Sequence, residues 1–113
     1  MDDRRHIPRV PVFFVLENLS LSTGDAATEC QGVVKNITPD GLLLEANVQM
    51  KKNDLLQMSF TFPNTHKSIN LEGKVCWVEI KKVSSLAGIE FMDLSSEQRE
   101  VIMEYLMTLG FQL

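Results

Sequence analysis

Leu56-Gln57-Met58-Ser59-Phe60-Thr61-Phe62 exchanges an apolar for a polar residue at every step. That is the period of a strand with one face in a core and the other in water. A helix would scatter these four apolar side chains around its circumference and bury none of them well. Turn formers bound the segment: Lys51-Lys52-Asn53-Asp54 before it, Pro63-Asn64-Thr65-His66 after it. Upstream the same period returns, with Val10, Val12, Phe14 and Leu16 alternating with Pro11, Phe13, Val15 and Glu17. Ser20 to Ala27, holding Ser22-Thr23-Gly24-Asp25, reads as a turn-rich break. Thr28 to Ile37 reads as the next strand, with a bulge expected at Gly32.

Thr38-Pro39-Asp40-Gly41 is the clearest reversal. Proline presets φ and Asp-Gly tolerates positive φ, so the chain turns back into Leu42-Leu43-Leu44-Glu45-Ala46. Downstream, Ser68 to Ile80 is a long strand whose alternation puts Cys76, Val78 and Ile80 on one face and Val75, Trp77 and Glu79 on the other. Lys81-Lys82 then leads into a last strand, Leu86 to Met92. Six extended segments with short turns and no helix between them predict an all-β fold, a six-stranded antiparallel β-barrel. The end differs. Ser95 with Gln98 forms a capping-box pattern, and Val101, Ile102, Tyr105, Leu106 and Leu109 make an apolar stripe stopped by Gly110. A C-terminal α-helix is expected there, lying across the barrel or covering a partner. The whole reads as one domain: a flexible arginine-rich arm over 1–9, a barrel over 10–94 and a helix over 95–110.

Composition narrows the function. The chain has 113 residues, with 11 Lys and Arg against 15 Asp and Glu, a net charge of −4. That balance opposes binding to a nucleic acid polymer, whose affinity comes from neutralising many phosphates. No apolar run approaches the roughly 18 residues of a membrane span, and none backs the basic start as a secretory signal would, so a cytoplasmic protein without membrane insertion is expected. Cys30 and Cys76 lack CxxC spacing, so no structural zinc site or other metal is expected. The sequence holds no Gly-rich phosphate loop, no HExxH and no nucleophile elbow, and His6 and His66 have no carboxylate partners in sequence. No catalytic residues and no cofactor are expected.

One feature stands against the net charge. Arg4-Arg5-His6-Ile7-Pro8-Arg9 gathers three guanidinium groups ahead of the first strand. Each is a planar fork of donors that fits phosphate oxygens and can also stack on a base or pair with the O6/N7 edge of guanine. A small anionic guanine nucleotide suits that cluster; the alternative is a solvated basic tail offset by Asp2 and Asp3.

Arg5-x-x-x-Arg9 and Asn36-x-Thr38-x-x-Gly41, in that order, resemble the paired motifs RxxxR and [DN]xSxxG of the PilZ family. Gly73-Lys74-Val75-Cys76-Trp77-Val78 and Gly88-Ile89-Glu90-Phe91-Met92-Asp93-Leu94-Ser95 resemble its late strands, so the likeness spans essentially the whole chain. The resemblance implies a PilZ-like barrel that binds the bacterial second messenger cyclic di-GMP, with Arg5, Arg9, Asn36, Thr38 and Gly41 as ligand residues. Arg4 and Trp77 are secondary candidates, Trp77 as a platform for a guanine if its indole lies outside the barrel. Thr38 departs from the family's serine: the hydroxyl survives, while the added methyl stiffens χ1 and takes up space. The expected function is a receptor that clamps the dinucleotide between arm and turn and signals to a protein partner. The alternative is a degenerate PilZ-like adaptor that works through protein contacts alone.

Overall fold

The structure is a computed structural model that describes residues 10–23 and 26–110. Its elements are β1 (Val10–Val15), β2 (Asn18–Thr23), β3 (Ala26–Cys30), β4 (Gly32–Thr38), β5 (Gly41–Ala46), β6 (Leu55–Thr61), β7 (Ser68–Ile80), β8 (Ser85–Met92) and α1 (Ser96–Thr108). All strand pairs are antiparallel, in the order β1-β4-β5-β8-β7-β6-β2-β3. The sheet curls because β1 and β2 form one bent path. Leu16 N–H donates to the Gly32 carbonyl at 3.0 Å, and the next residue, Glu17, donates to the Ser59 carbonyl at 2.9 Å. Neighbouring residues thereby tie β4 to β6 and draw the sheet around its core.

The strand count corrects the six-stranded expectation to a curled sheet of eight. The additional hairpin falls where Ser20 to Ala27 read as a break. Leu19 and Leu21 point into the core between Asn18, Ser20 and Ser22, and they pair with Met58 and Leu56 of β6. Serine-rich composition argued for a turn, and burial against β6 overrode it. Gly32 is no bulge. It opens β4 where a Cβ would press on side chains of Leu19 and Leu44, so its job is close packing.

The alternating apolar residues of β1 and β6 enter the core as expected, and Val34, Ile37, Leu44, Leu56, Phe60, Phe62 and Val75 are fully buried. Each such side chain contributes about 1.5–3 kcal/mol by leaving water. The helix covers the open end of the curl. Ser95 Oγ accepts the Gln98 N–H at 3.1 Å while Gln98 Oε1 accepts the Ser95 N–H at 2.7 Å, closing the capping box. Ile102, Tyr105 and Leu106 are buried, and the Tyr105 ring stacks on Phe62 with centroids 4.2 Å apart and meets Phe14 edge-on at 6.0 Å. The apolar stripe is therefore spent on the protein's own core, which settles that alternative against a partner. Among the described residues no helix is long and apolar enough to cross a membrane.

Candidate functional site

Two bulges determine which side chains leave the core. In β4, Val34 pairs with Leu44 and Asn36 with Leu43, leaving Lys35 as the extra residue. In β7, Val75 pairs with Ile89 and Trp77 with Gly88, leaving Cys76 as the extra residue. An added residue reverses the alternation beyond it. Val34 and Ile37 can both be buried although three apart, and Asn36 faces out. Val75 likewise faces in while Trp77 faces out. This corrects the expectation that Val75 shares a face with Trp77 and Cys76 with Val78: Val75 and Val78 pack on the core, while Cys76 and Trp77 line the outer surface.

The register then lays out a row across four strands: Asn36 on β4, Leu43 on β5, Gly88 on β8 and Trp77 on β7. Three strand spacings of about 4.8 Å separate its ends, roughly 14 Å. A Cβ on Gly88 would collide with Nε1 and Cε2 of Trp77, so the indole rests on bare backbone. In the adjacent row Thr38 pairs with Gly41, Gly41 with Glu90 and Glu90 with Lys74.

The hairpin at the end of these rows is built by a hydroxyl. Thr38 Oγ1 accepts from the Asp40 N–H at 3.2 Å and the Gly41 N–H at 3.1 Å, and donates to the Gly41 carbonyl at 3.3 Å. The Asp40 carbonyl accepts from Phe91 N–H at 2.9 Å, fastening the turn to β8. Neither Asp40 nor Gly41 has a positive φ. The expected left-handed residue is thus corrected: glycine is needed at 41 because a Cβ there would strike the Ile89 carbonyl oxygen of the neighbouring strand.

Asn36, Thr38, Gly41 and Trp77 all line one outward-facing hollow of about 110 Å³, together with Leu43 and Glu90 among others. Sites that enclose a drug-sized ligand run to about 300–1,000 Å³. The hollow has room for a flat ring and needs a second element to cover anything larger. Arg4, Arg5 and Arg9 lie outside the described residues. The chain that follows them is well placed, since Val10 pairs with Ile37 and Pro11 with Asn36 at the edge of the hollow. Sequence reasoning missed Leu43, Gly88 and Glu90. The only signal for them is the cross-strand register, which no local pattern carries.

Charges flank the hollow on one side. The Ser84 hydroxyl donates to Glu45 at 2.9 Å, and Lys81 and Lys35 lie 3.6 and 3.7 Å from the same carboxylate. The Ser84 hydrogen bond, aided by the two ammonium groups, holds the Glu45 carboxyl below its ordinary range. Lys35 also lies 5.3 Å from the centre of the Phe13 ring. Among the described residues no group of three or more His, Cys, Asp or Glu side chains could hold a metal.

The PilZ domain model matches residues 3–108. The chain belongs to the PilZ domain family. Domains of this family are receptors or adaptors. Its fold is similar to the PilZ domain of CeSA from a cellulose-synthesizing bacterium, with a TM-score of 0.61, 8% identity and coverage of 92% of this chain and 99% of that one. It is also similar to YcgR from Escherichia coli in complex with c-di-GMP, with a TM-score of 0.68, 6% identity and coverage of 95% and 46%. A third similar structure is the Bacillus subtilis inhibitor of motility MotI/DgrA, with a TM-score of 0.65, 15% identity and coverage of 96% and 53%. The chain thus spans about half the length of the latter two. At these identities the likeness is one of fold. No curated protein matches the sequence.

Proposed function

We propose that this PilZ domain is a cytoplasmic receptor for cyclic di-GMP that performs no chemistry and passes the signal to a protein partner. The observation that carries the reading is the convergence of Asn36, Thr38, Gly41 and Trp77 on one hollow from three different strands, β4, β5 and β7. In this reading a guanine stacks on the indole of Trp77, a sequence-tolerant contact worth about 1–3 kcal/mol per base. Asn36 donates or accepts at the base edge or ribose, and Thr38 holds the turn in shape so that backbone can approach the ligand closely. Arg5 and Arg9, with Arg4 beside them, supply forks of donors for the two phosphates and cover what the shallow hollow leaves open. β1, which follows the arm in sequence, begins beside Ile37 and Asn36, so an arm that closes over the hollow has its anchor at the edge of the site. The signal would be the new surface formed when it closes, and its size is limited by the ligand's preference for that closed state.

Thr38 in place of serine is compatible with this reading. Its hydroxyl accepts the Asp40 and Gly41 N–H groups, a task that either residue performs. Calorimetric titration of the protein with cyclic di-GMP, beside GTP and linear pGpG, tests the proposal. Saturable binding of the cyclic dinucleotide alone is expected; no heat from any of the three would leave only the adaptor role.

A further inference from the structure

We infer that Glu90 reads the guanine base, acting as the acceptor that separates guanine from other purines. The inference rests on the reading of the hollow as a cyclic di-GMP site and extends it to a residue outside the paired motifs. Glu90 is exposed and lines the hollow. It is the next outward-facing position on β8 after Gly88, on which the Trp77 indole rests, and two residues of strand span roughly 7 Å. A purine stacked on the outer face of that indole, towards the Gly41 side, can bring its edge within reach of the Glu90 carboxylate. On one side the way is open, because the residue paired with Glu90 across β5 is Gly41, which has no side chain to intervene. Lys74 stands opposite, across β7.

The chemistry selects guanine. Its Watson–Crick edge presents two adjacent donors, the N1–H and the exocyclic 2-amino group. A carboxylate offers two acceptors at matching spacing, whereas the Asn36 amide has a single acceptor oxygen beside a donor nitrogen. Adenine places an acceptor where guanine has the N1–H, so it would face the carboxylate with lone pair against lone pair. Leu43 and the indole are apolar and cannot make this distinction. Asp40, the other carboxylate at the rim, sits in the hairpin turn at the end of the rows, away from Gly88.

The test is titration of wild type, Glu90→Gln and Glu90→Asp with cyclic di-GMP, cyclic di-IMP, which lacks the 2-amino group, and cyclic di-AMP. Wild type should prefer cyclic di-GMP to cyclic di-IMP by about tenfold, the size of a charge-assisted hydrogen bond. Glu90→Gln should weaken cyclic di-GMP by about tenfold and cyclic di-IMP far less, closing the gap, with Glu90→Asp between. Unchanged discrimination in Glu90→Gln, or an equal loss for both ligands, overturns the assignment, the second outcome pointing to a cation of the arm as the group Glu90 meets. A wild type that binds none of the three overturns the receptor reading itself, and the assignment with it. Unchanged circular dichroism of both variants is the control for folding.

Discussion

The Trp77 indole lies flat against Gly88 on the strand beside it, and the fit leaves no room for a methyl group between them. Gly88→Ala should therefore push the ring off its seat while the β7–β8 ladder survives. A shifted tryptophan emission maximum is expected, together with about a tenfold loss of cyclic di-GMP affinity if stacking contributes about 1–3 kcal/mol. Trp77 is the chain's one tryptophan, so the fluorescence reads this position alone. An emission spectrum and affinity both equal to wild type would show that the platform does not matter to the ligand.

Thr38 separates structure from recognition. Thr38→Ala removes the acceptor for two backbone N–H groups and should lower unfolding free energy by about 1–2 kcal/mol in a urea titration. Thr38→Ser keeps the hydroxyl and should melt like wild type while retaining or modestly improving affinity. A clear loss of binding in Thr38→Ser would mean that the methyl touches the ligand favourably.

Gly41 tests the correction to the turn. Because the constraint is the Ile89 carbonyl and no positive φ is involved, Gly41→Ala should already destabilise by about 1–3 kcal/mol, as overpacking does. A turn limited by φ would instead accept asparagine better than alanine. Comparing the urea midpoints of Gly41→Ala and Gly41→Asn decides between the two.

These residues also mark how far the sequence could be read. Alternation at Leu56 to Phe62, the Thr38–Gly41 reversal and the Ser95–Gln98 capping box are local patterns, and each is where the reading placed it. What escaped depends on partners distant in the chain. Leu19 and Leu21 alternate with Asn18, Ser20 and Ser22, but the run is short and merges into the Ser22-Thr23-Gly24-Asp25 turn signal, and only its pairing with β6 shows that the turn-rich reading began too early. The bulges at Lys35 and Cys76 are mismatches between two strands, so neither strand alone reveals them. The motifs named Asn36, Thr38 and Gly41, but the indole's side of the sheet, the seat on Gly88 and the nearness of Glu90 all follow from register.

Glu45 gives a pH signature. Its carboxyl is held below the ordinary value of 4.5, chiefly by the Ser84 hydroxyl and then by Lys81 and Lys35. A carboxyl that is more acidic in the folded state contributes stability above its unfolded pKa, and that contribution disappears as pH falls through the lower folded value. Glu45→Gln should thus melt slightly below wild type at pH 7, with the difference shrinking as pH drops below 4.5. The effect is modest because the group is partly exposed and screened by solvent. A constant difference in melting temperature from pH 7 to pH 3 would mean that packing, not charge, is responsible.

The arginines decide the clamp. Each guanidinium lost from a phosphate contact forfeits a charge-assisted hydrogen bond, so Arg5→Ala and Arg9→Ala should each weaken cyclic di-GMP by about tenfold or more. Both positions precede β1, whose first residue pairs with Ile37, so the core and its melting temperature should not change. If the two arginines grip separate phosphates, the double variant should lose about the product of the single losses, since independent contacts add in free energy. If they share one phosphate, the double variant should lose little beyond either single. Raising the salt concentration should weaken wild type more than the double variant, because the variant has fewer cations for salt to screen. Single variants that bind as tightly as wild type, with intact circular dichroism, would remove the arm from the site and leave the hollow to hold its ligand alone.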